Sequence, residues 1–196
     1  MRAFLAIEIE EYIKENINKT QQLIKDTDSA RINYVKSDNI HLTIKFFGDI
    51  DEDKKEKICD IVNRIIVKYK TYQLKLVKVG AFRNINNPRV IWAGIKDNNV
   101  TMNLIKELDE EFSKIGFEKE RNYTPHITIG RVKNISDRRL LTDTLKRLNK
   151  EYFGKMTVKE VSLKSSVLTP NGPIYDTVEK FSLGDWYENR RMYYRS

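Results

Sequence analysis

The chain contains two histidines, and both begin the same short pattern. His41 opens the segment HLTIKFFGD and His126 opens HITIGRVKN, so each is followed by an apolar residue, a threonine and an isoleucine. Side chains at positions i and i+2 of a β-strand point to the same face. If the first segment is a strand, His41 therefore lies beside Thr43. In the second segment, His126 lies beside Thr128 for the same reason.

Two imidazoles that face one cleft can perform acid–base catalysis on a phosphodiester. The unperturbed pKa of histidine is about 6.5, so near neutral pH one ring can be neutral while the other is protonated. The neutral ring can take a proton from an attacking oxygen, and the protonated ring can give one to a leaving oxygen. Threonine hydroxyls can donate hydrogen bonds to the non-bridging phosphate oxygens. The residues alone do not assign the acid and the base to particular histidines.

A cation for the phosphate is expected at Arg131, five residues after His126. Its guanidinium group can bind two phosphate oxygens at once. Strict alternation along a strand would place Arg131 on the face opposite His126. Gly130 precedes it, and glycine inside a strand often marks a β-bulge. We therefore predict a bulge that turns Arg131 into the cleft. Alternation also predicts that Lys45 shares the face of His41.

Neither a metal nor another cofactor is expected. Two histidines without a cysteine cluster fall short of a usual zinc ligand set, and no acidic residue stands at ligand spacing beside either histidine. The residues leave two classes of function open. One is a phosphodiesterase that uses the histidine pair, and the other is a non-catalytic module that binds RNA.

The elements that must position the histidines alternate between strands and helices. We predict strands at residues 2–8 and at both histidine segments, and a closing hairpin around the turn TPNGP. The apolar spacing predicts helices at about residues 11–26, 51–70, 98–115 and 136–149. Short turns between several strands favour an α+β fold with two mostly antiparallel sheets and flanking helices. The repeated histidine segment predicts two similar lobes, related by a pseudo-two-fold axis, around a central cleft.

Length and charge fit one domain that acts on a polyanion. The chain has 196 residues, which suits a single bilobal domain over residues 1–184. Its formal net charge of +8 favours nucleic acid as a partner. Residues 185–196, DWYENRRMYYRS, form an aromatic and basic extension. Such a segment could stack on single-stranded RNA, or could pack on its own domain.

Cysteine content and hydropathy predict a cytoplasmic protein. Cys59 is the one cysteine, so no intramolecular disulfide can form, which is typical of a reducing compartment. The apolar N-terminal run turns acidic after a few residues and is too short for a signal peptide. No stretch approaches the roughly 20 apolar residues that span a bilayer. We expect a monomer without a membrane partner.

The histidine segments resemble the paired HxTx motifs of the 2H phosphoesterase superfamily. Their flanks resemble the RNA 2′,3′-cyclic phosphodiesterases, also called 2′-5′ RNA ligase-like proteins. The matching segments are RAFLAIEI, NIHLTIKFFGDI, NPRVIWAGI, YTPHITIGRVK and LKSSVLTPNGPIYDTVEKFSL. Two motif copies in this order, with these flanks, cover about residues 1–183.

The resemblance implies hydrolysis, without metal, of a 2′,3′-cyclic phosphate at an RNA 3′ end to a 2′-phosphate. His41 would be the general acid that protonates the leaving 3′ oxygen, and His126 the general base that activates water. The phosphate would be held by Thr43, Thr128 and Arg131. The substrate would be RNA with a cyclic terminus, tRNA fragments included. Alternatives are another cyclic nucleotide, or 2′-5′ RNA ligation in place of hydrolysis.

Overall fold

The computed structural model describes residues 1–170 and 172–184, and the extension 185–196 lies outside them. Its helices are α1 (Glu11–Lys25), α2 (Glu52–Ile66), α3 (Val100–Lys114) and α4 (Arg138–Arg147). Its strands are β1 (Arg2–Glu8), β2 (Ala30–Tyr34), β3 (His41–Asp49), β4 (Tyr72–Phe82), β5 (Val90–Lys96), β6 (His126–Ile135), β7 (Tyr152–Val158), β8 (Glu160–Thr169) and β9 (Gly172–Ser182). Short 3-10 helices cover Ser37–Asn39 and Leu148–Lys150.

The helices form where the apolar spacing predicts them. On α2 the buried positions are Ile58, Ile61, Val62, Ile65 and Ile66, which recur at helical spacing on one face. Its N-terminus is capped by Asp51, whose carboxylate accepts a hydrogen bond from the backbone N–H of Lys54 at 2.9 Å. The four predicted helices are therefore confirmed. No helix in the described part of the chain is long and apolar enough to cross a membrane.

The nine strands form one curled antiparallel sheet in two halves. Its order is β7-β4-β5-β6-β3-β1-β8-β9, and β2 pairs with β6 beyond this path. Helices α2 and α3 pack on the half that contains β3, β1, β8 and β9. Helices α1 and α4 pack on the half that contains β6, β5, β4 and β7. The predicted α+β class and the two-lobed arrangement are confirmed, and each lobe contributes one histidine strand to the centre.

The two histidine strands meet at the centre of the sheet through one residue pair. Leu42 of β3 pairs with Ile127 of β6, and both side chains are fully buried. The two predicted sheets are thus joined into one by this contact. Because side chains alternate along a strand, the residues on either side of this pair point to the opposite face of the sheet. That face lines the space between the lobes.

Candidate active site

A cavity of about 710 Å³ lies between the lobes, over the junction of β3 and β6. Its volume is within the usual range for a ligand site. All five residues predicted for the site line it, namely His41, Thr43, His126, Thr128 and Arg131. Two short strand segments from opposite halves of the sheet thus present two imidazoles, two hydroxyls and a guanidinium to one space.

The His41 ring is fixed by its own backbone. Its Nδ1 lies 2.8 Å from the carbonyl oxygen of Asn39, which can only accept, so Nδ1 carries the proton of that hydrogen bond. The side-chain amide of Asn39 donates in turn to the carbonyl of Pro173 at 2.8 Å. The other ring nitrogen, Nε2, lies 3.0 Å from the hydroxyl of Thr43. Nε2 is therefore the atom of His41 that can exchange a proton with a ligand.

His126 is held in the same way. Its Nδ1 lies 2.7 Å from the carbonyl oxygen of Thr124, again two residues upstream. This hydrogen bond fixes the ring with its proton on Nδ1 and leaves Nε2 for the cavity. The loop that carries Thr124 is fastened to α3, because Asp109 accepts from the backbone N–H of Glu120 at 2.8 Å and from the hydroxyl of Tyr123 at 2.7 Å.

The predicted bulge before Arg131 is present. The register between β5 and β6 shifts at Ile129, which has no partner in β5. Gly130 is buried against β2, where a Cβ atom would lie 2.6 Å from Cγ2 of Ile32. After this bulge Arg131 is exposed and lines the cavity on the same face as His126. The glycine is thus required by the close approach of β2.

A glutamine that the sequence did not single out supports this bulge. The side-chain amide of Gln21 on α1 donates to the carbonyl of Ile129 at 3.1 Å and to that of Val35 at 2.8 Å. The backbone N–H of Val35 also donates to Ile129 at 3.0 Å. The irregular backbone of β6 therefore keeps its hydrogen bonds, as buried polar groups require.

The predicted orientation of Lys45 is wrong. The register between β1 and β3 shifts at Ile44, so a second bulge turns Lys45 away from the cleft. Lys45 is 5% exposed, and its Nζ lies 2.6 Å from Asp109 Oδ1 and 2.5 Å from the carbonyl of Glu118. The bulge also turns Phe46, which is 60% exposed, into the cavity. No glycine marks this bulge in the sequence.

The pKa of the His41 imidazole is below its ordinary value. Burial lowers it, while the hydrogen bond to Asn39 and the negative charge of Glu8 raise it, and Lys164 lowers it. Glu8 of β1 stands directly opposite His41 across the strand pair. The ammonium of Lys164 on β8 is hydrogen-bonded to the Glu8 carboxylate.

The pKa of the His126 imidazole is also lowered, but the charged residue nearest to it is positive, whereas His41 has the negative Glu8 opposite it. Burial lowers it, the hydrogen bond to Thr124 raises it, and the positive charge of Arg131 lowers it further. A carboxylate beside His41 favours its protonated form, whereas a guanidinium beside His126 favours the neutral form. The two histidines thus share one tether and differ in their electrostatic surroundings.

Aromatic rings flank each histidine. The ring centroid of His41 lies 4.8 Å from that of Phe4 and 5.4 Å from that of Tyr175. The His126 ring lies 4.7 Å from Phe82 in an edge-on arrangement. These rings account for the burial of both imidazoles. Sequence reasoning missed them because they come from strands distant in the chain, and strand order was not predicted.

No group of three or more His, Cys, Asp or Glu side chains within residues 1–170 and 172–184 is arranged to hold a metal ion.

Residues 7–92 and 96–175 match the model of the LigT-like phosphoesterase family. The chain belongs to this family. This LigT-like phosphoesterase is 42% identical over 181 residues to an RNA 2′,3′-cyclic phosphodiesterase of Methanocaldococcus jannaschii, covering 92% of this chain and 100% of the relative. It is 39% identical over 183 residues to the protein of that name from Methanothermobacter thermautotrophicus, covering 93% and 99%. The family predicted from the paired motifs is confirmed.

Solved structures share the fold. The protein TT0787 of Thermus thermophilus superimposes with a TM-score of 0.78 at 25% identity, covering 94% of this chain and 100% of that chain. Escherichia coli LigT complexed with 3′-AMP superimposes with a TM-score of 0.73 at 22% identity, covering 94% and 98%. The two-lobed arrangement is therefore the fold of this LigT-like phosphoesterase across nearly its whole described length.

Proposed function

We propose that this LigT-like phosphoesterase is an RNA 2′,3′-cyclic phosphodiesterase that opens a cyclic phosphate at an RNA 3′ end to leave a 2′-phosphate. Relatives that bear this name match more than nine-tenths of the chain. The observation that carries the proposal is the pair of Nδ1-tethered histidines that line one cavity with Arg131.

The reaction is an in-line displacement at phosphorus. His126 accepts a proton at Nε2 from a water molecule as the water oxygen bonds to phosphorus. The bond from phosphorus to the 3′ oxygen breaks, and His41 donates its Nε2 proton to that oxygen. The ribose is left with a free 3′ hydroxyl and a 2′-phosphate, while His41 has lost one proton and His126 has gained one.

The charges beside the histidines support this assignment of roles. A general acid must be protonated at the start, and the Glu8 carboxylate favours that form of His41. A general base must be neutral, and the Arg131 guanidinium favours that form of His126. Burial lowers the pKa of both rings in the free protein, and the negative charge of a bound phosphate would raise both.

The remaining polar groups bind the phosphate. The hydroxyls of Thr43 and Thr128 and the guanidinium of Arg131 donate to the non-bridging oxygens, where negative charge is held through the displacement. Phe46 offers an exposed ring in the same cavity to the terminal nucleobase. All of these groups come from one chain, so a monomer suffices for the chemistry. A cytoplasmic location, expected from the cysteine content, belongs to the same proposal.

The decisive experiment incubates the protein with RNA that ends in a 2′,3′-cyclic phosphate, with EDTA present, and identifies the product isomer. We expect a 2′-phosphate, and loss of about 10²- to 10⁴-fold in kcat in both His41→Ala and His126→Ala. An Arg139→Gln variant, which removes a charge from the exposed face of α4 (94% exposed), is the matched control and should keep the wild-type rate.

Four results would contradict the proposal. Turnover that EDTA abolishes would require a metal. Turnover that survives both histidine substitutions would place the chemistry elsewhere. RNA binding without any turnover would indicate a non-catalytic module. Joining of a 5′-hydroxyl RNA, with no 2′-phosphate released, would favour 2′-5′ ligation by the same residues.

A further inference from the structure

A second cavity, of about 240 Å³, lies next to the active site and is lined by residues from β4, β5, α3 and the segment before β6. Its lining includes Lys78, Trp92, Gly94, Tyr123, Thr124 and Pro125. It adjoins the active site because Thr124 holds the His126 ring, and because the Trp92 and His126 ring centroids are 6.4 Å apart. Nothing in the proposed hydrolysis of the cyclic phosphate uses this cavity.

Lys78 reaches this cavity through a strained bulge. The register between β4 and β5 shifts at Lys78, whose φ of 54° lies in the left-handed region. A residue other than glycine in this region is strained, and such residues cluster at functional sites. The bulge turns the side chain onto the sheet, where its ammonium lies 5.6 Å from the centroid of the Trp92 ring. Lys78 is nonetheless exposed to solvent on its outer side.

Two glycines make room for these side chains to lie flat on the sheet. A Cβ atom at Gly80 would overlap the six-membered ring of Trp92, which therefore covers that glycine directly. A Cβ atom at Gly94 would lie 3.0 Å from Cε of Lys78, whose stem crosses that position. Phe82 continues the surface toward His126, with its centroid 5.5 Å from that of Trp92. We call Lys78, Trp92 and Phe82 the lysine–aromatic shelf.

We propose that the lysine–aromatic shelf binds the nucleotide that precedes the cyclic 3′ end of the RNA. The Lys78 ammonium lies over the indole ring, and a base that stacks on Trp92 would displace it toward the phosphate of the same nucleotide. Aromatic rings accompanied by cations in this way bind single-stranded RNA on other protein surfaces. The cavity is smaller than a typical whole-ligand pocket, which fits one base with its sugar outside. The inference rests on the proposed function and adds that the enzyme recognises an oligonucleotide end in preference to a free cyclic nucleotide.

The test compares kcat/KM for a 2′,3′-cyclic mononucleotide, a dinucleotide with a cyclic end, and the same dinucleotide with its 5′ base removed. We expect the wild type to favour the dinucleotide by about 5- to 100-fold, since stacking of one base has that worth. The abasic dinucleotide should lose most of this preference. Equal values for the complete and abasic dinucleotides would overturn stacking on the shelf.

Lys78→Gln and Trp92→Leu should each lower the ratio of dinucleotide to mononucleotide kcat/KM toward one. Lys78→Gln should also reduce the salt dependence of dinucleotide binding by about one phosphate contact. The matched control is Lys57→Gln, which removes one lysine from the exposed side of α2 in the other lobe. The ratio should not change in this control. A similar fall in Lys57→Gln and Lys78→Gln would indicate only general charge and would overturn the proposal.

A binding measurement separates the shelf from the chemistry. With Trp186→Phe, Trp92 is the one tryptophan of the chain, and His41→Ala with His126→Ala removes turnover. We expect the cyclic-ended dinucleotide to quench the fluorescence of Trp92 more strongly than the mononucleotide does. Absence of hydrolysis in the wild type would defeat the proposed function and leave this titration intact. Equal quenching by both ligands would overturn the shelf even if hydrolysis is found.

Discussion

His41 and His126 begin strands that bend in the same way. In each strand the isoleucine of the motif is the extra residue of a bulge, the next residue is buried, and the one after it lines the cavity. The buried position is occupied by Lys45 in the first lobe and by Gly130 in the second. The cavity position is occupied by Phe46 in the first lobe and Arg131 in the second. The two strands therefore resemble each other more in the course of the backbone than in the identity of these residues.

In the proposed mechanism this difference gives two roles to one repeated geometry. The shared tether and bulge place two imidazoles alike, and nothing in them distinguishes an acid from a base. The distinction lies in charged neighbours that the two lobes do not share, which are Glu8 beside His41 and Arg131 beside His126. The lobe that lacks a cavity-lining cation at the fifth position presents an aromatic ring there instead.

Lys45→Met should have the largest effect on stability, because it breaks the buried ion pair beside the bulge at Ile44. It leaves the Asp109 carboxylate, 1% exposed, without its ammonium partner. Loss of one member of a buried ion pair costs about 3–5 kcal/mol of the free energy of unfolding. Urea denaturation followed by circular dichroism measures this loss. The double variant Lys45→Met with Asp109→Asn removes the unpaired charge but keeps an acceptor for the Glu120 N–H and the Tyr123 hydroxyl, so it should recover part of the loss. Equal destabilisation of the single and double variants would argue against a pairing effect.

The same pair predicts sensitivity to acid. Burial raises the pKa of the Asp109 carboxyl, but hydrogen bonds from Lys45, Tyr123 and the Glu120 N–H outweigh it, so the net shift is downward. A depressed pKa contributes stability that is complete above the ordinary carboxyl value and is lost as pH falls through the folded value. Denaturation at several pH values should therefore show a loss of stability on the acidic side that Lys45→Met with Asp109→Asn lacks.

Arg131→Gln should remove the cation that the second lobe has and the first lacks. We expect kcat/KM to fall by about 10- to 100-fold, the usual worth of a charge-assisted hydrogen bond to phosphate. Because Arg131 lowers the pKa of His126, its loss should raise that pKa and move the acidic limb of the pH profile to higher pH. The chain has two histidines, so NMR titration of their Cε1 protons can follow both rings. An unmoved His126 signal would contradict the proposed charge coupling.

Gly130→Ala should test whether the bulge at Ile129 of β6 needs the glycine that follows it. The new methyl group would collide with Cγ2 of Ile32, and overpacking of this kind costs roughly 1–3 kcal/mol. We expect a lower denaturation midpoint and a lower kcat/KM, since Arg131 would be displaced. Adding Ile32→Ala removes the colliding atom and should restore part of the activity. A double variant no more active than Gly130→Ala alone would show that the collision is not the cause.

Glu8→Gln should have the smallest effect on kcat/KM, and it should act on His41 and not on His126. Without the carboxylate the pKa of His41 should fall further, because burial and Lys164 would then act with less opposition. The alkaline limb of the kcat/KM profile should move to lower pH, opposite to the change in Arg131→Gln. Glu15→Gln on the exposed face of α1 is the matched control. If the acidic limb in Arg131→Gln and the alkaline limb in Glu8→Gln moved in the same direction, the assignment of acid and base would be refuted.

The sequence was sufficient for the local arrangement of the site but not for its surroundings. Alternation within each motif placed the histidines and threonines together, and Gly130 signalled the bulge that exposes Arg131. The bulge at Ile44 has no such signal, because no glycine stands there and the partners of Lys45, Asp109 and the Glu118 carbonyl, are distant in the sequence. The orientation predicted for Lys45 was therefore wrong. Glu8 and Lys78 lie beside their neighbours across strand pairs, so the roles proposed for them can be recognised only when strand order and register are known.

The hydrogen bonds from each Nδ1 to a carbonyl two residues upstream have a consequence for the enzyme between turnovers. They prevent either ring from turning over to present its other nitrogen, so every proton enters and leaves through Nε2. In the proposed mechanism one hydrolysis leaves His41 neutral and His126 protonated, which is the reverse of the starting state. That state is the one from which the reverse reaction begins. How often bound product re-forms the cyclic phosphate before release thus depends on how quickly solvent returns the two rings to their original protonation states.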